Sequence, residues 1–198
     1  MNNTFNNMAE KYDTKDRKAL ADVITGEIVK VLNHTHYSSL IDYGGVTGLV
    51  GLELADYFET GVLIDASPEM INIARQKITS QNINHFEAEV LNLSDEDHLN
   101  VQADVIVLSL VLIHVPDFKH LLKQLSRNLN TDGRFIIVDF DKNPRVTHPK
   151  VHNGFNETEL NDALTEAGLT PLERRTFHHG KNIFVKEDAS LFISTSTK

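Results

Sequence analysis

The stretch Leu40-Ile41-Asp42-Tyr43-Gly44-Gly45-Val46-Thr47-Gly48 decides how this chain is read. Its first residues have the apolar character of a buried strand, and the glycines that follow let the backbone turn sharply and lie close to a ligand. Apolar residues resume at Leu49, Leu52, Leu54 and Ala55. The pattern therefore predicts a strand, a glycine-rich turn and a helix whose N-terminal N–H groups face that turn, a setting for something small and partly anionic. The next apolar run, Val62-Leu63-Ile64, ends in Asp65. It lies about 20 residues beyond the turn, where a carboxylate can accept hydrogen bonds from both hydroxyls of a ribose. Together the two features point to an adenosine-containing cofactor.

Spacing narrows the choice of cofactor. A nicotinamide fingerprint needs glycines at the first, third and sixth positions. Counting from Gly44 the third position is Val46, and counting from Gly45 it is Thr47, so the fingerprint fails both ways. No Gly-Lys-Ser/Thr triplet occurs, which excludes a phosphate loop.

Working outward, the spacing of Leu20, Val23, Ile24, Ile28, Val31 and Leu32 predicts a helix within 9–32, ahead of the first strand. Short apolar runs predict strands over 40–43, 61–64, 83–88, 104–110 and 134–139. Ser67 followed by Pro68 reads as a helix start, as does Asp117 before Leu121, Leu122, Leu125 and Leu129. Asn156 and Glu159 have capping-box spacing before Leu160, Ala163, Leu164 and Ala167, and Gly168 can close that helix. The tail has no helix between 170–177 and 191–195, so those strands can pair antiparallel, with 182–185 an extra strand or part of the connection. The fold class is α/β, a mostly parallel sheet finished by an antiparallel strand.

The run from Asp42 to Gly48 resembles the first motif of class I S-adenosylmethionine-dependent methyltransferases, an acidic residue followed by G-x-G-x-G, with Thr47 in a commonly seen place. Asp65-Ala66-Ser67-Pro68-Glu69-Met70 resembles the second motif, D-x-S-x-x-M. Further along, 86–89 sits where that family places an acidic residue near the adenine, and 104–107 matches its fourth strand. Leu112-Ile113-His114-Val115-Pro116-Asp117 matches the segment after it, and 129–133 occupies the place of an L-K-P-G-G turn. The resemblance covers nearly the whole chain. It implies a Rossmann-like, seven-stranded sheet with helices on both faces, one domain over 1–198 with an N-terminal lid segment over 1–36 and a core over 37–198. It also implies S-adenosyl-L-methionine as cofactor and methyl transfer to a small-molecule acceptor.

Carried onto this chain, the cofactor-binding candidates are Asp42, Gly44, Gly45, Val46, Gly48, Asp65, Ala66, Met70, Glu89, Val90 and Ser109. Glu87 competes with Glu89, two residues away on the same face of a strand. Ser109 and Leu110 end the fourth strand, where ligands collect in open parallel sheets. His114 is the candidate base, and Tyr12, within 5–13, the candidate lid residue. Asp139 and Asp141 are candidates to face the substrate, with His152 and 153–155 capping that pocket. One departure stands out: Val46 replaces the middle glycine of the motif, and a β-branched residue resists a positive φ. It motivates a second reading, a methyltransferase fold with weak or no cofactor use.

Composition agrees with these expectations. At 198 residues, 40% hydrophobic and 24% charged, the chain can enclose a sizeable core. A net charge of −9 opposes nucleic-acid backbones, so neither DNA nor RNA is the expected partner. The sequence holds no cysteine, which removes thiolate nucleophiles and thiolate metal sites. His148, His152, His178 and His179 lack a metal-ligand spacing, so no metal is expected. The polar start of the chain does not read as a secretory signal, and no apolar run reaches the ~20 residues of a membrane span. A cytoplasmic protein with no membrane anchor is the expectation.

Overall fold

The computed structural model describes residues 12–32, 35–93 and 99–198. Seven strands form one sheet: β1 (Ser39–Tyr43), β2 (Thr60–Asp65), β3 (Phe86–Val90), β4 (Ala103–Ser109), β5 (Leu129–Phe140), β6 (Thr170–Phe184) and β7 (Glu187–Thr197). Among the described residues four helices flank it: α1 (Lys15–Leu32), α2 (Pro68–Ser80), α3 (Phe118–Ser126) and α4 (Glu157–Glu166). Strand order is β3-β2-β1-β4-β5-β7-β6. β1 pairs parallel with both β2 and β4, whereas β7 pairs antiparallel with β5 and β6. The order therefore reverses at β1, so the carboxyl ends of β1 and β4 flank the switch point, the place where open α/β sheets hold ligands in a crevice. The expected fold class holds.

The central strands form as they do because they are apolar on both faces. Val105, Ile106, Val107 and Leu108 of β4 and Phe135, Ile136, Ile137 and Val138 of β5 are all buried, which only a sheet covered on both sides allows. Helix starts follow their caps. Ser67 accepts from the Met70 N–H ahead of α2, Asp117 from His120 ahead of α3, and Asn156 from Glu159 ahead of α4. Gly168, at φ +83°, ends the last of these as expected. Among the described residues no helix is long and apolar enough to cross a membrane.

Several expectations need correction. The helix foreseen after Gly48 does not form: residues 46–54 make successive turns, closed by isolated bonds such as Leu52 N–H to Gly48 O and Leu54 N–H to Val50 O, and end in a 3₁₀ turn at Ala55–Tyr57. Gly51 lies inside that segment, and an interior glycine costs a helix about 1 kcal/mol. The third strand starts at Phe86 rather than at residue 83, and its ring lies over Gly61. β5 begins at Leu129, so the segment matched to an L-K-P-G-G turn lies within the strand. Its left-handed residue is Asp132, at φ +61°, and not Gly133. Of residues 182–185, the first three extend β6, which runs on to Phe184 through register shifts against β7, and Val185 falls in the turn that connects the two strands. Helix α1 starts at Lys15, and the part of the lid segment over 5–11 lies outside the described residues.

Candidate functional site

The turn after β1 folds back over its own acid. Asp42 is only 1% exposed, and a Cβ on Gly45 or Gly51 would stand 2.5 or 2.4 Å from its Oδ2. Glycine is required at both positions because backbone presses directly on the carboxylate. Neither Asp42 oxygen has a hydrogen-bond partner of good geometry. Burial raises its pKa to about 7, the Gly51 N–H offsets part of that rise and the Asp65 charge adds to it. Asp42 thus sits buried beneath the turn, with glycine backbone packed against its carboxylate.

Val46 takes φ +53°, the conformation a glycine would take there. A left-handed L-residue costs roughly 1–2 kcal/mol, and β-branching adds to the crowding. The strain is met by a hydrogen bond: Val46 N–H donates to Asp65 Oδ2 at 3.3 Å, while Asp65 Oδ1 accepts from Ser67 N–H at 2.8 Å. Asp65 therefore joins the turn after β1 to the start of α2. Burial pushes its pKa up, and the two amides pull it down. An ionised carboxylate has about four acceptor positions, so two remain for a ligand.

Asp65 and Ala66 are half-buried, whereas Met70 is fully buried. Glu89 and Val90 end β3 beside Ile64 and Asp65 and are exposed, as is Glu87 on the same face. Ser109 ends β4, half-buried, and Leu110 follows at φ +58° with its N–H on Val138 O. This second strained residue marks the same edge of the sheet, and strain of this kind collects at functional sites. Next in the chain, Val111 fills the space over Gly44, where an added Cβ would lie 2.4 Å from its Cγ2.

His114 lies in the 3₁₀ turn Leu112–His114 just beyond β4. Burial lowers its pKa and His148 lowers it further, so the ring is neutral at pH 7. Asp139 does not face a substrate. It is fully buried, with Oδ2 accepting from Ile113 N–H at 3.3 Å and Oδ1 from Phe140 N–H at 2.8 Å, and it supports the turn that carries His114. Asp141 is likewise spent on structure, accepting from Arg174 at 2.6 Å and from Thr176 Oγ1 at 2.8 Å. His152 packs beside the same turn: its backbone N–H donates to Ile113 O, its ring stacks on Phe155 at 4.5 Å, and Nε2 lies 3.4 Å from Glu159 Oε1. His178 and His179 lie away on β6, and among the described residues no metal-binding group of three or more His, Asp or Glu occurs.

Tyr12 is half-buried at the start of the described N-terminal segment. The Arg17 guanidinium lies 4.1 Å from its ring centroid, and its phenol pKa is pushed up by burial, eased by Arg17 and raised again by the nearby Asp65 and Asp13 charges. Three residues that sequence reading missed meet here or close by: Asp13, Lys77 and Val111. Lys77 donates to Thr47 O at 2.7 Å across 30 positions, a contact with no local signature. Two surface clefts, of about 280 and 320 Å³, lie instead at the amino ends of the strands, against residues such as Gln102 and Asn128 or Thr60 and Asn84.

Because Val46 already follows the glycine path, V46G should leave the turn in place. Release of strain is opposed by the roughly 0.5–1 kcal/mol entropy of glycine, so the melting temperature should move by no more than a few degrees. Affinity for S-adenosylhomocysteine, measured by titration calorimetry, should change by less than about tenfold, about 1.4 kcal/mol. Binding that appears only in V46G would restore the reading in which cofactor use is lost.

The chain is similar to known proteins across most of its length. It is 28% identical over 121 residues to an uncharacterized methyltransferase of Schizosaccharomyces pombe, covering 58% of this chain and 43% of that protein. It is 26% identical over 152 residues to the ubiquinone/menaquinone biosynthesis C-methyltransferase UbiE of Rickettsia typhi, covering 72% of this chain and 61% of that protein. The chain thus spans about half the length of these curated relatives. In fold it superposes on an S-adenosylmethionine-dependent methyltransferase of Clostridium acetobutylicum with a TM-score of 0.68 at 16% identity, over 96% of this chain and 94% of that one. Residues 12–174 match a family described as methyltransferase domain, a span that takes in the turn, Asp65 and β4, and the chain belongs to that family.

Proposed function

We propose that this chain is an S-adenosyl-L-methionine-dependent methyltransferase acting on a small-molecule acceptor in the cytoplasm. One observation carries the reading. At the point where strand order reverses, the glycine turn after β1 and the acid ending β2 are joined by the Val46–Asp65 hydrogen bond. That arrangement leaves two acceptor positions on Asp65 beside a backbone that glycine keeps low, which suits a ribose lying against the turn. The bound cofactor supplies a methyl group on a sulfonium, open to in-line attack by an oxygen, nitrogen or carbon.

What remains for the protein is mostly placement. Asp42 under the turn and Val111 against Gly44 set the floor of the crevice, and Asp65 fixes the sugar end. Ser109 and Leu110, at the carboxyl end of β4, line the place where acceptor and methyl group meet, and effective molarity supplies most of the rate. His114, held neutral by burial, is suited to take a proton from an acceptor that must lose one. The excess of acidic residues disfavours a nucleic-acid acceptor.

Titration of the purified protein with S-adenosylmethionine and S-adenosylhomocysteine tests the reading. Micromolar affinity for both is expected. Absence of heat and of any thermal shift at millimolar ligand would overturn it.

A further inference from the structure

Asp13, just before helix α1, is the hub of a compact set of contacts over the turn. Its Oδ1 accepts from Thr47 Oγ1 at 2.5 Å, and its Oδ2 pairs with Lys77 Nζ at 2.6 Å. Lys77 in turn donates to Thr47 O at 2.7 Å, so one residue of the turn, one of α2 and one of the N-terminal segment close on each other. The Asp13 and Lys77 side chains are only 23% and 22% exposed, so water screens this pair far less than an ordinary surface ion pair. Beside it, Tyr12 is held by Arg17, which covers its ring and donates to its backbone carbonyl at 3.1 Å.

The rest of α1 is anchored elsewhere. Its buried residues are Ala21, Ile24, Glu27, Ile28 and Leu32, and Glu27 is paired with Arg175 on β6. Among the described residues α1 has no fully buried side chain ahead of Ala21, Leu20 being only partly buried against the core, so the Asp13 contacts are what tie the start of the helix to the turn and to α2. Thr47 belongs to the turn that the cofactor would lie on, and the half-buried Tyr12 phenol is near enough to Asp65 to feel its charge.

Resting on the functional reading above, we propose that Asp13, Thr47 and Lys77 form a latch that holds Tyr12 closed over the sugar end of the crevice, so that Asp13 is a positioning residue setting the rate at which cofactor enters and leaves. A latch of this kind is closed with and without ligand. Breaking it therefore speeds entry and exit together and changes affinity little, whereas loss of a direct ligand contact raises the exit rate alone.

The chain contains no tryptophan, so Y12W gives a single indole reporter. Acrylamide quenching of ligand-free Y12W should be weak, and in Y12W/D13N it should rise about threefold. Stopped-flow mixing with S-adenosylhomocysteine should then show both rate constants up roughly tenfold in Y12W/D13N, with Kd within about threefold, the scale of one charge-assisted contact. K77M should reproduce D13N, and adding it to D13N should have little further effect. To guard against an indole that unseats the lid by itself, trypsin cleavage after Lys15 and Arg17 should be faster in D13N than in the unsubstituted protein. Equal quenching and equal cleavage would overturn the latch, whatever the ligand does. Greater quenching with unchanged rates, or a rise in the exit rate alone with Kd up tenfold, would overturn the gate. Failure of the unsubstituted protein to bind the ligand at all would defeat the functional reading and the gate with it, while quenching and cleavage would still decide whether the latch exists.

Discussion

Replacing Asp65 with alanine is expected to weaken S-adenosylhomocysteine binding at least 100-fold, about 2.7 kcal/mol, by titration calorimetry. The size follows from the acceptor positions that the fold leaves on this carboxylate. Ser67 N–H and Val46 N–H occupy one each, and two ribose hydroxyls would take the others. Hydrogen bonds to a charged acceptor contribute about 1.5–3 kcal/mol apiece, so deleting two exceeds the threshold even if part of the loss is recovered by water. The substitution also frees the turn, since Val46 loses the partner that offsets its left-handed backbone. D65N should fall between, because its amide keeps one oxygen for Ser67 or the sugar but turns an NH₂ toward a donor. The ligand-free fold should lose about 1–3 kcal/mol, a drop of several degrees in melting temperature, because Val46 is half-buried but Ser67 is buried and its freed N–H has little access to water. A D65A protein that binds within threefold of the unsubstituted one would remove the ribose from Asp65.

Why Asp65 was legible, and Lys77 was not, is a matter of distance along the chain. A strand ending in an acid, a glycine turn and an N-cap are written in consecutive residues, so β1, the turn, Asp65 and the start of α2 could all be read directly. The partners that complete the site come from afar: Asp13 meets Thr47 across 34 positions, and Ile113 meets Asp139 across 26. Asp139 looked available for substrate because it ends an apolar run. It is consumed by backbone donors of a neighbouring turn, which no local pattern reveals. The helix after Gly48 failed for the opposite reason. Its apolar spacing was right, but the segment carries Gly51, which weakens a helix and lies close against Asp42. In the same way Asp132 rather than Gly133 carries the positive φ, because Gly133 is needed where a Cβ would stand 2.8 Å from the carbonyls of Asn130 and Asp104.

The buried acid beneath the turn gives the other large effect, a pH dependence of stability with a definite sign. Asp42 has a folded pKa of about 7 against an ordinary value of 3.8. Between those values the folded chain holds a proton that the unfolded chain has released, so stability from this group is present at low pH and is lost as pH rises toward 7. Asp139, also pushed up to about 7, acts in the same direction, while the lowered His114 acts oppositely below its ordinary 6.5. The contribution of Asp42 is therefore isolated by difference. D42N cannot ionise, and its amide resembles the protonated acid in shape. Near pH 5 the two proteins should melt within a few degrees of each other. By pH 8 the variant should have gained on the order of 2–3 kcal/mol relative to the unsubstituted chain, several degrees in melting temperature. A difference that stays flat from pH 5 to 8 would mean that Asp42 is ionised throughout, paired with a donor from the loop. The same variant separates two roles for Asp42 in binding. If the acid only supports the turn, D42N keeps S-adenosylhomocysteine affinity within a few fold. If it faces the ammonium of the amino-acid end, loss of charge should cost at least tenfold, and the ligand should stabilise the unsubstituted chain more at pH 8 than at pH 5, because the charged acid is the form that would bind it.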